Sequence, residues 1–166
     1  MVTIAKLVIQ LNNSLPQVEP MTQETPEAKT RRELITPAIK KAGWDKAPHS
    51  FIKEETITDG RIIPLGKKAK RQDGLRADYV LRYNRDFKIA VVEAKEKGIS
   101  PDTGLQQAQD YAEMLGVKFA YATNGTDIIE VDFITGREQL VSRFPTPAGL
   151  WHRLRGNLGA CRACHL

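Results

Sequence analysis

Arg76-Ala77-Asp78-Tyr79-Val80-Leu81-Arg82-Tyr83 and, shortly after, Phe87-Lys88-Ile89-Ala90-Val91-Val92-Glu93-Ala94-Lys95 read as two strands joined at Arg85-Asp86. A tight turn there sets Tyr83 opposite Lys88, Val80 opposite Val91 and Asp78 opposite Glu93. Because side chains alternate along a strand, Asp78, Val80, Val91, Glu93 and Lys95 then share one side of the hairpin. A loop one residue longer would shift the register and undo the Asp78–Glu93 pairing.

The run Ala90-Val91-Val92 is typical of a strand buried on both faces, and Glu93 and Lys95 follow it directly. Buried unpaired charge is costly, and facing carboxylates repel. A hard divalent cation removes that penalty, since two carboxylates suit Mg²⁺ and leave positions for water and phosphate. Such an ion activates water and stabilises charge on a phosphoryl oxygen. A lysine two residues from the glutamate can hold the attacking water and offset developing negative charge. Taken singly, each residue also fits a solvated sheet edge; the conjunction is what points to phosphodiester hydrolysis.

Working outward, Thr25-Pro26-Glu27 has the pattern of an N-cap, a first-turn proline and a first-turn acid. The helix runs to Ala42, with Leu34, Ala38 and Ile39 on one side and Gly43 as its stop; Pro37 either kinks it or restarts it from Thr36. Strands are expected over 51–58 and 61–65, a second helix from Ser100-Pro101-Asp102 to Gly116, and short strands over 118–123 and 128–133. A last amphipathic helix spans 147–154. The order predicts an α/β fold with a central mixed β-sheet flanked by helices. It occupies 25–155, with a loosely ordered leader at 1–24 and a C-terminal tail at 156–166.

A chain of 166 residues fits one domain with a sizeable core. No apolar run is long enough to span a bilayer, and the short apolar patch near Met1 lacks the features of a signal peptide, so the expected compartment is the cytoplasm. The net charge of +5 and a pI near 9.3 favour polyanionic partners. Lys67, Lys68, Lys70, Arg71 and Arg76 crowd into one stretch suited to a phosphate-contacting loop, though a solvated loop has the same composition. Cys161, Cys164 and His165 match half of a metal or haem motif, but no second ligand pair exists, so neither is assigned.

The segments Arg76-Ala77-Asp78-Tyr79-Val80-Leu81 and Val91-Val92-Glu93-Ala94-Lys95 resemble the PD-(D/E)XK nuclease motif, with Ala77 where the family name has proline. Thr30-Arg31-Arg32-Glu33-Leu34-Ile35, Ala42-Gly43-Trp44, Phe144-Pro145-Thr146-Pro147 and Leu150-Trp151 narrow the resemblance. They are similar to the N-terminal nuclease domain of type I restriction endonuclease R subunits. The resemblance covers about 26–155 and implies a restriction-endonuclease-like core.

It also implies roles. Asp78, Glu93 and the backbone carbonyl of Ala94 would ligate Mg²⁺, with Mn²⁺ as a substitute, and Lys95 would position the nucleophilic water. Gln107 and Tyr111 match the Gln-x-x-x-Tyr element, four apart on one helix face. Glu33 is the candidate for a further carboxylate, with Glu27 as its competitor. The implied substrate is DNA, with specificity and methyltransferase subunits as partners. No Gly-x-x-x-x-Gly-Lys-Ser/Thr loop is present, so no ATP site or motor activity is expected of this chain. The alternative is a catalytically silent nuclease-like module that binds DNA or supports assembly.

Overall fold

The computed structural model describes residues 24–57, 62–65, 68–71 and 75–162, with side chains over 24–57 and 75–156. The first helix, α1, starts where the sequence places it. Thr25 Oγ1 accepts from the Ala28 N–H at 3.2 Å, and Pro26 follows in the first turn. Pro37 neither breaks the helix nor begins a new one. An α turn (Pro26–Thr30) passes into a π stretch (Arg31–Ile35) and back to α geometry (Thr36–Lys41). The Thr36 N–H reaches back to the Arg31 carbonyl, and this widened turn lets a residue with no N–H and a bulky ring remain helical. Gly43, at φ +96°, takes the left-handed conformation that ends the helix.

The remaining elements are β1 (Ser50–Thr56), β2 (Ile62–Leu65), β3 (Lys68–Arg71), β4 (Arg76–Asn84), β5 (Phe87–Ala94), α2 (Asp102–Leu115), β6 (Phe119–Thr123), β7 (Ile128–Asp132), β8 (Arg137–Val141) and α3 (Pro147–Arg162). Six strands form one sheet in the order β1-β4-β5-β6-β7-β8. β5 and β6 run parallel, joined through α2, and the other neighbours are antiparallel. The expected mixed α/β sheet is therefore present. Ile35, Ile39 and Trp44 from α1 and its exit, with Leu150 and Leu154 from α3, pack on Tyr79, Leu81, Ala90 and Val92. On the other face Ala108, Tyr111 and Ala112 of α2 cover Val80, Val91 and Ala120. Trp44 Nε1 donates to the Pro145 carbonyl at 2.9 Å, tying α1 to the start of α3.

Several expectations need correction. Val80 does face Val91, but Lys88 pairs with Arg82 rather than Tyr83, because the β4–β5 ladder is irregular near the turn. There Tyr83 stacks on Trp151 at 4.2 Å, while Lys88 Nζ donates to Glu55 Oε1 at 2.6 Å. Part of the basic stretch is strand, not loop: β3 pairs with β2 in a separate two-stranded sheet. The edge strand β8 was not expected, since Arg137-Glu138-Gln139 offers no apolar alternation. Helix α3 continues past 154 to Arg162, through residues expected to be tail. The leader to residue 23, Cys164 and His165 lie outside the described residues.

Candidate active site

The site forms where the β4–β5 ladder stops. The last pair is Tyr79 with Val92. One step further, Asp78 reaches past the ladder and its Oδ2 accepts from the Ala94 N–H at 2.8 Å. That bond fixes the Asp78 carboxylate against the peptide next to Glu93. Its other oxygen, Oδ1, accepts from Arg31 on α1 at 2.7 Å. Val80, Val91, Glu93 and Lys95 share the α2 side, while Asp78 bonds to Arg31 of α1.

Glu93 is buried at 3% exposure. Its Oε1 accepts from Lys95 Nζ at 2.9 Å, and its Oε2 is buried with no hydrogen-bond partner. Burial pushes the Glu93 carboxyl up to about 7; Lys95 opposes the shift, and the negative charges of Asp78 and Glu27 add to it. Burial alone would lower the Lys95 ammonium, but the hydrogen bond and charge of Glu93 outweigh it and leave Lys95 above its ordinary value. Glu93 thus feels the charge of Asp78, with one of its own oxygens left without a hydrogen-bond partner.

Lys95 Nζ also donates to Gln107 Oε1 at 3.2 Å, and Gln107 Nε2 donates to the Tyr111 hydroxyl at 2.6 Å. Gln107 therefore reaches Lys95 directly, and Tyr111 is bonded to Gln107 rather than to Lys95. Glu33 is exposed, accepts from Arg32 at 3.2 Å, and lines a groove with Glu96 and Lys97. Of the two acids considered on the first helix, Glu27 is the one whose charge is felt at Glu93, Lys95 and Arg31. Among the described residues, no set of three from His, Cys, Asp and Glu is gathered for a metal.

Of the basic residues, Arg76 donates to Glu54 Oε2 at 3.2 Å and is largely exposed. Lys68, Lys70 and Arg71 lie on β3, where the backbone is described, and Lys67 lies outside the described residues.

Two contributors were not singled out from sequence. Arg31 spans Asp78 and Glu54, the latter at 3.1 Å. Gly104, in the first turn of α2, sits so close to the strand that an added Cβ would lie 2.6 Å from Lys95 Cε and 3.1 Å from Glu93 Cγ. A glycine three residues before Gln107 was the only available signal, and a helical glycine does not by itself point to a site.

Comparison with known proteins decides the relationship. The type I restriction enzyme EcoAI endonuclease subunit of Escherichia coli is 35% identical over 133 residues, covering 76% of this chain. A solved fragment of a type I restriction enzyme HsdR subunit from Vibrio vulnificus is 53% identical, covers 80% of this chain and superposes with a TM-score of 0.77. Over this stretch, the chain is homologous to type I restriction endonuclease subunits. Its α/β core is the restriction-endonuclease-like fold of the HsdR fragment. The match spans 16% of the E. coli subunit and 26% of the Vibrio chain. No protein-family model matches. Among the described residues, no helix is long and apolar enough to cross a membrane.

Proposed function

We propose that this HsdR-like domain hydrolyses DNA phosphodiesters with Mg²⁺ held by Asp78, Glu93 and the Ala94 carbonyl. The observation that carries the reading is Glu93 Oε2, a buried carboxylate oxygen without a hydrogen-bond partner, in a carboxyl that also feels the charge of Asp78. A buried unsatisfied oxygen calls for a compensating group, and hard oxygen donors fit Mg²⁺ or Mn²⁺. When bound, the ion supplies Lewis-acid polarisation of the phosphate and acidifies water.

The chain's own groups do the rest. Lys95, gripped by Glu93 and Gln107, aims an ammonium at the position next to the carboxylates. There it orients a water toward phosphorus and balances charge on the phosphoryl oxygens. Tyr111 fixes the Gln107 amide and hence the lysine. Arg76 and the basic β2–β3 ribbon provide sequence-independent attraction to the DNA backbone. The name of the E. coli relative as an endonuclease subunit supports the activity. By the same kinship, DNA target choice would come from companion specificity and methyltransferase subunits. The cytoplasm is the compartment consistent with that substrate.

The test is conversion of supercoiled plasmid to nicked or linear DNA with Mg²⁺. Wild type should cut, while Asp78→Ala and Lys95→Ala should fall by at least about a hundredfold with unchanged circular dichroism. Equal cutting by the variants refutes the site assignment. Salt-sensitive DNA binding with no cleavage at any protein concentration would establish a silent binding module instead.

A further inference from the structure

Asp78 is held by a cation of its own. Arg31 Nη1 lies 2.7 Å from Asp78 Oδ1, and its Nη2 lies 3.1 Å from Glu54 Oε1. The Arg31 side chain is 21% exposed and that of Asp78 16%, so the pair is largely shielded from water. With Oδ2 accepting from the Ala94 N–H and Oδ1 from Arg31, an ion that binds Asp78 does so in the field of the guanidinium. Two positive species at one carboxylate oxygen repel, so the divalent ion and Arg31 compete for Asp78.

Arg31 has somewhere to go. It lines an open depression of about 360 Å³ together with Arg32, Lys53, Glu54 and Asp78. Glu54 gathers this region: it accepts from both Arg31 and Arg76 and sits at φ +54°. The β1–β4 ladder pairs Lys53 with Tyr79 and Glu55 with Ala77 in one register, and Glu54 lies between them. A non-glycine residue in the left-handed region is strained, and here the strain accompanies the contact with the two arginines.

We propose that Arg31 is the resident counter-cation of Asp78, exchanged for the divalent ion as the site fills and then passed to a DNA backbone phosphate in the neighbouring depression. A guanidinium is suited to both partners, since its fork matches carboxylate and phosphate alike. The exchange makes the ion and the DNA mutually supportive: each removes a partner the other would have to displace. The inference rests on the reading of Asp78 and Glu93 as metal ligands.

Calorimetric titration with Mn²⁺ and anisotropy of a short labelled duplex test it together. Arg31→Gln should bind Mn²⁺ about three- to tenfold more tightly, the weight of one part-buried ion pair. It should bind duplex more weakly in Ca²⁺ by a similar factor, with a smaller loss in EDTA, where Arg31 is still engaged by Asp78. Lys53→Gln and Arg32→Gln, which remove equal charge from the same depression without touching Asp78, should leave Mn²⁺ affinity within about twofold. Unchanged or weaker Mn²⁺ binding by Arg31→Gln, an equal gain in all three variants, or an equal duplex loss with and without Ca²⁺ overturns the exchange. If Arg31→Gln does not fold, Arg31→Met keeps the aliphatic stem but removes the charge, and should still bind Mn²⁺ more tightly than wild type; equal or weaker binding overturns the proposal. Glu93→Gln separates the two readings. If it leaves Mn²⁺ binding intact, the metal site itself is wrong; if it abolishes binding while Arg31→Gln changes nothing, only the exchange fails.

Discussion

Burial holds the Glu93 carboxyl at about 7 against an ordinary value of 4.5. The folded chain therefore binds this proton more tightly than the unfolded chain. Its stabilising effect is complete below pH 4.5 and is lost as pH rises through about 7. Without metal, Glu93→Gln should gain on wild type by about 2–3 kcal/mol between pH 5 and 8, read from urea unfolding in EDTA. A gap that stays constant across that range contradicts a buried Glu93 carboxyl raised to about 7. Glu93 was legible in sequence because a charge directly after Ala90-Val91-Val92 is anomalous on physical grounds alone. Arg31 was not legible as a partner of Asp78: the two lie far apart in the chain, and only the packing of α1 against the sheet end joins them.

At the scale of elements, the close approach of α2 to the end of β5 positions Lys95. Alanine in place of a helical glycine ordinarily favours the helix by about 1 kcal/mol. At Gly104, however, the new Cβ would fall 2.6 Å from Lys95 Cε, a flexible tip that can move aside. Gly104→Ala is expected to keep the fold and lower plasmid cleavage by on the order of tenfold to a hundredfold, since small misplacements of catalytic groups are costly. Wild-type cleavage rates in this variant would show that Lys95 needs no such space. Helix α1, β4, β5 and α2 could be read from caps, turns and apolar period because their signals are local. β8 could not, because Arg137–Val141 is an exposed polar edge whose strand conformation comes from pairing with β7. The shift at Tyr83 was hidden for a similar reason, as its ring answers to Trp151 on a distant helix.

At the scale of the whole molecule, α3 is clamped to the sheet by one arginine that no motif announced. Arg153 donates to Glu130 at 2.9 and 3.0 Å and to Asp132 at 2.8 Å, and lies over the Phe119 ring at 4.8 Å. Burial would raise the Glu130 carboxyl, but hydrogen bonds from Arg153, Tyr121 and Gln139 hold it below its ordinary value. Arg153→Met leaves the buried Glu130 and Asp132 carboxylates without the cation that joins them and should cost about 3–5 kcal/mol in urea unfolding. A loss below about 1 kcal/mol would mean the clamp is dispensable. The architecture class was readable because helices and strands alternate along the chain, whereas the closing of the sheet by α3 depended on these long-range charges. The central claim is that Asp78 and Glu93 share one divalent ion at the end of β5. Anomalous scattering from a crystal soaked in Mn²⁺ measures this most directly. The account predicts a peak between the Asp78 and Glu93 carboxylates and the Ala94 carbonyl, with Lys95 alongside; a fully soaked crystal with no peak there, or with Mn²⁺ bound only elsewhere, would contradict it.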